Sequence, residues 1–210
     1  MNRHTSIVIA GLVLVQALLS GCASAPPPPP TSGFLGDYAG FEADPHDPSL
    51  LWWERPGFDW HDYEGVMLEP VSVYYHPSAQ QREIRPDELQ MLTDAFREAV
   101  IRQLGEDYPV VDQPAPGILR VRCAITDVIP VRPAVNVVSS LVAFVAVDVG
   151  GAAIEVEFLD SVTGERLAAG VDQKLGKSID GMAGFTRLGQ AERAFEEWAR
   201  ELRVALETNP

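Results

Sequence analysis

The sequence predicts one α+β domain, a mostly antiparallel sheet of about four or five strands with two main helices packed on one face. Three observations carry this. Apolar residues recur at helical spacing in two stretches, Leu89, Leu92, Phe96, Val100, Leu104 and Ala191, Phe195, Trp198, Leu202, Ala205. Apolar and polar residues alternate at strand spacing over 118–128 and again over 151–172, the second time around a turn. The 210 residues suffice for one domain with a sizeable core, and for no obligatory second one, even after an N-terminal leader is removed.

That leader is residues 1–21. Arg3, the apolar stretch from Ile7 to Leu19 and the small residues before Cys22 read as a secretory signal peptide whose cysteine becomes the first, lipidated residue. The apolar run is shorter than the about 20 residues a membrane-spanning helix needs. Leu19-Ser20-Gly21-Cys22 is similar to the lipobox of bacterial lipoproteins. The resemblance implies a diacylglycerol thioether on Cys22 and a further acyl chain such as palmitate, together a lasting membrane anchor. In that class Ala23, in place of aspartate, implies the inner leaflet of the outer membrane, facing the periplasm.

Residues 22–35 follow as a lipidated, proline-rich tether. Pro26 to Pro30 favour polyproline II, which rises about 3.1 Å per residue and holds the domain off the lipid. Residues 36–64 form an arm of irregular pattern that is too aromatic for a disordered linker. It is expected to pack its rings on the domain. Trp52, Trp53 and Trp60, with Phe144 further on, are the candidate interaction surface.

The α+β domain proper spans 65–207. Val66 to Tyr74 reads as strand, with Pro70 requiring an edge or a bulge. Pro86, followed by Asp87 and Glu88 at the positive end of the helix dipole, opens the first helix, and Gly105 closes it. Tyr108 to Val111 reads as a short strand, and Ile118 to Val128 as a longer one. Ile154, Val156 and Phe158 alternate with Glu155 and Glu157, residues 160–165 carry turn chemistry, and Leu167, Ala169 and Val171 resume the alternation. The last helix is expected from about Gln190 to Glu207. The valine-rich segment from Pro133 to Gly150 is expected to be buried; the alternative is an exposed apolar element.

The blocks Ser32-Gly33-Phe34-Leu35-Gly36-Asp37-Tyr38, Tyr63 to Val71 with Glu69-Pro70-Val71, and Ile154 to Glu157 through Glu165 resemble bacterial lipoproteins of the DUF3313 family, over roughly residues 32–207. That family is one of unknown function, so the resemblance implies no activity, ligand or site residue. The order of elements is also similar to small periplasmic domains of lipoproteins that assemble envelope machinery, an analogy of fold only.

The formal net charge of -14 argues against nucleic acid and anionic head groups as partners of the domain surface. With Cys22 acylated, Cys123 has no disulfide partner, and its place on the apolar side of a strand predicts inert packing. His46 and His61 lie beside Asp44, Asp47, Asp59 and Asp62 in loops, a pattern more often solvated than metal-binding or catalytic. Glu155 and Glu157 share a strand face, where Arg120 and Arg122 on a neighbouring strand would balance them. No catalytic residue, metal ligand or cofactor site is assigned. The expectation is a lipid-anchored, non-enzymatic binding or assembly factor with an envelope protein partner or a second copy of itself. The alternatives are a periplasmic hydrolase using the His46 and His61 loops and an oligomeric ring or pore built through Val135–Val147.

Overall fold

In the computed structural model, residues 28–75, 77, 84–131, 150–176 and 186–208 are described. Cys22, His76, Phe144 and the segment Val135–Val147 lie outside them. The strands are β1 (Glu42–Ala43), β2 (Leu50–Glu54), β3 (Gly65–Leu68), β4 (Ser72–Val73), β5 (Ile118–Ile129), β6 (Gly151–Asp160) and β7 (Arg166–Leu175). The helices are α1 (Pro86–Leu104) and α2 (Gly189–Glu207), with a short 3-10 turn at Trp60–Asp62.

The seven strands form one mixed sheet in the order β1-β2-β7-β6-β5-β3, with β4 also on β5. This corrects the expected mostly antiparallel sheet of four or five strands. The β5-β6-β7 meander is antiparallel as expected, whereas β3 and β4 run parallel to β5. Parallel neighbours require a crossover, and α1 supplies it. The remaining strands come from the arm, where β2 pairs with β7 in register Trp52↔Gly170 and β1 pairs with β2. Pro70 falls in the break between β3 and β4, since proline cannot donate to a ladder. The strand expected at 108–111 is reduced to a single bridge, Val66↔Val110.

Both helices sit on one face of the sheet. α1 starts at Pro86 and is capped at Gly105, and Leu92, Phe96, Ala99, Val100 and Leu104 are buried. α2 buries Ala191, Phe195, Trp198 and Leu202 and packs on α1, β6 and β7. The shared core places Phe96, Phe195 and Trp198 ring to ring beneath Val121, Ile125 and Ile154. Among the described residues no helix is long and apolar enough to cross a membrane.

The opposite sheet face is covered by the start of the chain. Leu35 is buried against Ala169 and Val171, with Phe34, Tyr38, Phe41 and Leu51 around it. The wet face expected for Glu155 and Glu157 is therefore dry: they are 0% and 3% exposed.

Candidate functional site

Glu155 leaves β6 on this covered face and accepts hydrogen bonds from three groups of one short segment. These are the backbone N–H of Ser32, the backbone N–H of Leu35 at 3.3 Å and the Tyr38 hydroxyl at 2.5 Å. The Tyr38 oxygen in turn accepts from Gly33 N–H at 2.8 Å. A tight turn brings these donors together, with Gly36 in the left-handed region at φ 76, a conformation glycine adopts without steric cost. Such a carboxylate needs several donors, because burying a charge without them costs several kcal/mol.

Glu157 is satisfied from the other side. Arg122, directly opposite it on β5, and Arg166 at 2.9 Å both pair with it. Arg166 also donates to the carbonyls of Leu35 at 2.6 Å and Asp37 at 3.1 Å, and Arg122 lies over the Phe34 ring at 5.4 Å. Glu69 completes the ladder by pairing with Arg120 and Arg122. The expected Arg122–Glu157 pair is thus present, while Arg120 turns to Glu69 and Glu155 is held by the chain itself. Every group here has a partner within the fold, so the cluster acts as a clasp that fixes residues 32–38 to the sheet.

On the helix side of the sheet lies an apolar cavity of about 310 Å³. Trp52, Trp60, Phe96, Phe158, Trp198 and Leu202 are among the residues of its wall. Gly170 stands opposite Trp52 in this wall and lets the indole lie directly against the strand. A Cβ there would sit 2.9 Å from Trp52 Cε3. At one end are three carboxylates, Asp44, Asp172 and Glu201. Asp172 accepts from the Trp198 indole N–H at 2.6 Å, and the Lys174 ammonium contacts Asp172 at 3.1 Å and Glu201 at 2.9 Å.

These positions revise the expected aromatic surface. Successive strand residues point to opposite faces, so Trp52 faces the cavity while Trp53 lies on the clasp side, beside Gly40. Trp60 is 3% exposed and stacks on Trp52 with ring centres 6.3 Å apart. Its indole N–H donates to Glu54 at 3.2 Å, so it is a core residue rather than a surface one. The cavity is not legible in the sequence because its lining comes from β2, β3, β5, β6, β7, α1, α2, the 3-10 turn and the loop at Asp44. A glycine facing a tryptophan across strands is visible only once their register is known.

His46 and His61 are exposed, and each is engaged by a local aspartate. Asp44 accepts from His46 N–H at 2.7 Å, and Asp59 caps the 3-10 turn through His61 N–H at 2.9 Å. Among the described residues no group of three His, Cys, Asp or Glu side chains is placed to hold a metal. Thr163 serves the β6–β7 turn, as its position suggests, whereas the Ser161 hydroxyl reaches outside it, accepting from the Ala115 N–H at 3.2 Å and donating to the Ala115 carbonyl at 2.9 Å. The Thr163 and Val162 backbone N–H groups and the Thr163 hydroxyl donate to Asp160, and the Thr163 N–H bond foremost holds that carboxyl below its ordinary range.

Cys123 is buried on the helix side, and burial pushes its thiol up to about 12. In the chain carrying Cys22→Ser, Ellman's reagent is expected to leave Cys123 untouched under native conditions and to titrate one thiol in concentrated guanidinium. Rapid native labelling would contradict an inert packing role.

The family model described as "Protein of unknown function (DUF3313)" matches residues 30–202, from just before the clasp into α2. The chain belongs to this family. The three blocks that carry the DUF3313 resemblance, around Tyr38, Glu69 and Glu155, meet on one sheet face through the Glu69–Arg122–Glu157–Arg166 ladder and the Glu155 clasp. No curated protein matches the chain. Among solved structures, the PelC dodecamer from Paraburkholderia phytofirmans is 12% identical, with 77% of this chain and 98% of that one covered and a TM-score of 0.43. The hypothetical protein CT253 from Chlamydia trachomatis is 14% identical, with 69% and 99% covered and a TM-score of 0.41. Protein XCC0632 from Xanthomonas campestris is 10% identical, with 71% and 87% covered and a TM-score of 0.39. At such identities the DUF3313 chain takes no function from these neighbours.

Proposed function

We propose that this chain is a non-enzymatic binding protein of the bacterial envelope, held by lipid on Cys22 at the inner leaflet of the outer membrane, facing the periplasm, and receiving an apolar group of its ligand or partner between sheet and helices. The observation that carries the binding role is the 310 Å³ cavity, of a size and apolar character suited to a small ligand. Its described lining holds no imidazole, thiol or hydroxyl. Its buried carboxylate, Asp172, is already engaged by Trp198 and Lys174. Such a wall favours holding a molecule over transforming it. The anchoring part of the reading rests on the apolar run ending at Cys22 and on the proline tether.

The test is made in cells. Fractionation is expected to place the chain with outer membranes, and Cys22→Ala to release it or leave it as an unprocessed precursor. Crosslinking in intact cells followed by mass spectrometry is expected to recover an envelope component joined to the domain. A chain that stays soluble with Cys22 intact, or that crosslinks to nothing, overturns the proposal.

A further inference from the structure

The cavity is apolar along most of its wall and charged at one end, and that asymmetry restricts what fits it. Three carboxylates, Asp44, Asp172 and Glu201, border it, with Lys174 as the ammonium in contact with two of them. The Asp44 Oδ1 oxygen accepts from the backbone N–H groups of His46 and Asp47, which leaves the carboxylate's charge unneutralised. The end thus keeps an excess of negative charge beside a low-dielectric, aromatic wall, where a charge is felt more strongly than in open water. Burial raises the Glu201 carboxyl above its ordinary range, and neighbouring Asp172 and Glu197 add to this against the opposing pull of Lys174. An anionic head group would meet repulsion there.

We infer that the cavity binds a small amphiphile with an apolar body and a cationic head, the body lying among Trp52, Trp60, Phe158 and Leu202 and the head beside Asp172 and Glu201. This rests on the binding role proposed above and names its ligand class. A volume of 310 Å³ is at the small end of ligand sites, which sets the body at a short alkyl chain or one ring system.

The probes are n-octyltrimethylammonium, n-octyl sulfate and n-octanol below their micellar concentrations, added to the full chain carrying Cys22→Ser. Titration calorimetry and tryptophan emission provide the readouts, since Trp52, Trp60 and Trp198 face the cavity. The ammonium probe is expected to bind at least tenfold more tightly than the sulfate, with octanol between them. Ala205→Phe, which fills the cavity from the half-buried side of α2, is expected to abolish binding of all three. Glu201→Gln, which removes one negative charge from the charged end while keeping the side chain's shape, is expected to narrow the ammonium-to-sulfate ratio severalfold and to change octanol affinity far less. Circular dichroism verifies that both variants are folded. Equal or reversed preference, an unchanged ratio in Glu201→Gln, or binding that survives Ala205→Phe overturns the inference. Octanol binding without charge preference would leave the binding role standing and remove the cationic head, whereas crosslinking in cells addresses the binding role separately.

Discussion

Glu155→Ala is expected to detach residues 32–38 from the sheet and to lower the midpoint of thermal unfolding by roughly 5–15 °C. The substitution removes the carboxylate that accepts from Ser32 N–H, Leu35 N–H and the Tyr38 hydroxyl. Hydrogen bonds to a charged group are worth about 1.5–3 kcal/mol each, and three that act together contribute less than their sum, so the loss is about 2–4 kcal/mol. Glu155→Gln, which keeps one acceptor oxygen, is expected to fall between the variant and the parent.

Tyr38 supplies an independent readout of the same clasp. Burial first, and then the bond to Glu155, push its phenol from 10.0 up to about 12. A phenol whose folded pKa lies above its unfolded one contributes stability that is fully present below pH 10.0 and is lost as pH rises through about 12. Ultraviolet difference titration of the parent should therefore show a late-ionising tyrosine that moves back toward the ordinary value in Glu155→Ala. An unchanged melting midpoint together with an unchanged tyrosine titration would show that the clasp contributes nothing.

Phe195→Ala is expected to cost about 3–5 kcal/mol, because truncating a buried aromatic ring forfeits its transfer energy and leaves a cavity that rigid neighbours fill only in part. Phe195 is 1% exposed, with its ring centre 5.2 Å from that of Phe96 and 5.9 Å from that of Trp198. The contact with Phe96 joins α2 to α1 on the sheet, so the loss falls where the two helices meet. Urea unfolding followed by circular dichroism should show an earlier midpoint with little change in slope, whereas Phe195→Leu should recover a large part of the loss. A loss below about 1 kcal/mol would mean that the helix layer collapses around the vacancy more readily than such cores do.

The elements whose physics is local were legible in the sequence. Pro86 and Gly105 bracket α1 because proline at the first turn and glycine after the last act on the backbone within a few residues. The β6–β7 hairpin was equally plain, since Asp160 and Thr163 bond to their own turn. Cys123 could be placed on the buried side from strand alternation alone. The parallel pairing of β3 with β5, and the recruitment of β1 and β2 from the arm, were not legible. Strand partners are chosen by contacts between residues far apart in the chain, and an aromatic-rich stretch broken by glycine and proline carries no strong period of its own.

By itself the sequence determined the two helices, the hairpin, the alternation that sorts β5 to β7 into two faces and the membership in DUF3313. Only the tertiary structure decided what those faces meet. Glu155 and Glu157 sit on a polar stripe that looks wet in one dimension, yet the chain start folds over it and supplies the donors that make its burial tolerable. Trp52 and Trp53 are neighbours in sequence and belong to opposite sides of the sheet, one facing the cavity and the other the clasp side. Period and capping act within one element, whereas burial and cavity shape arise where several elements close on one another, and that closure depends on the register between strands.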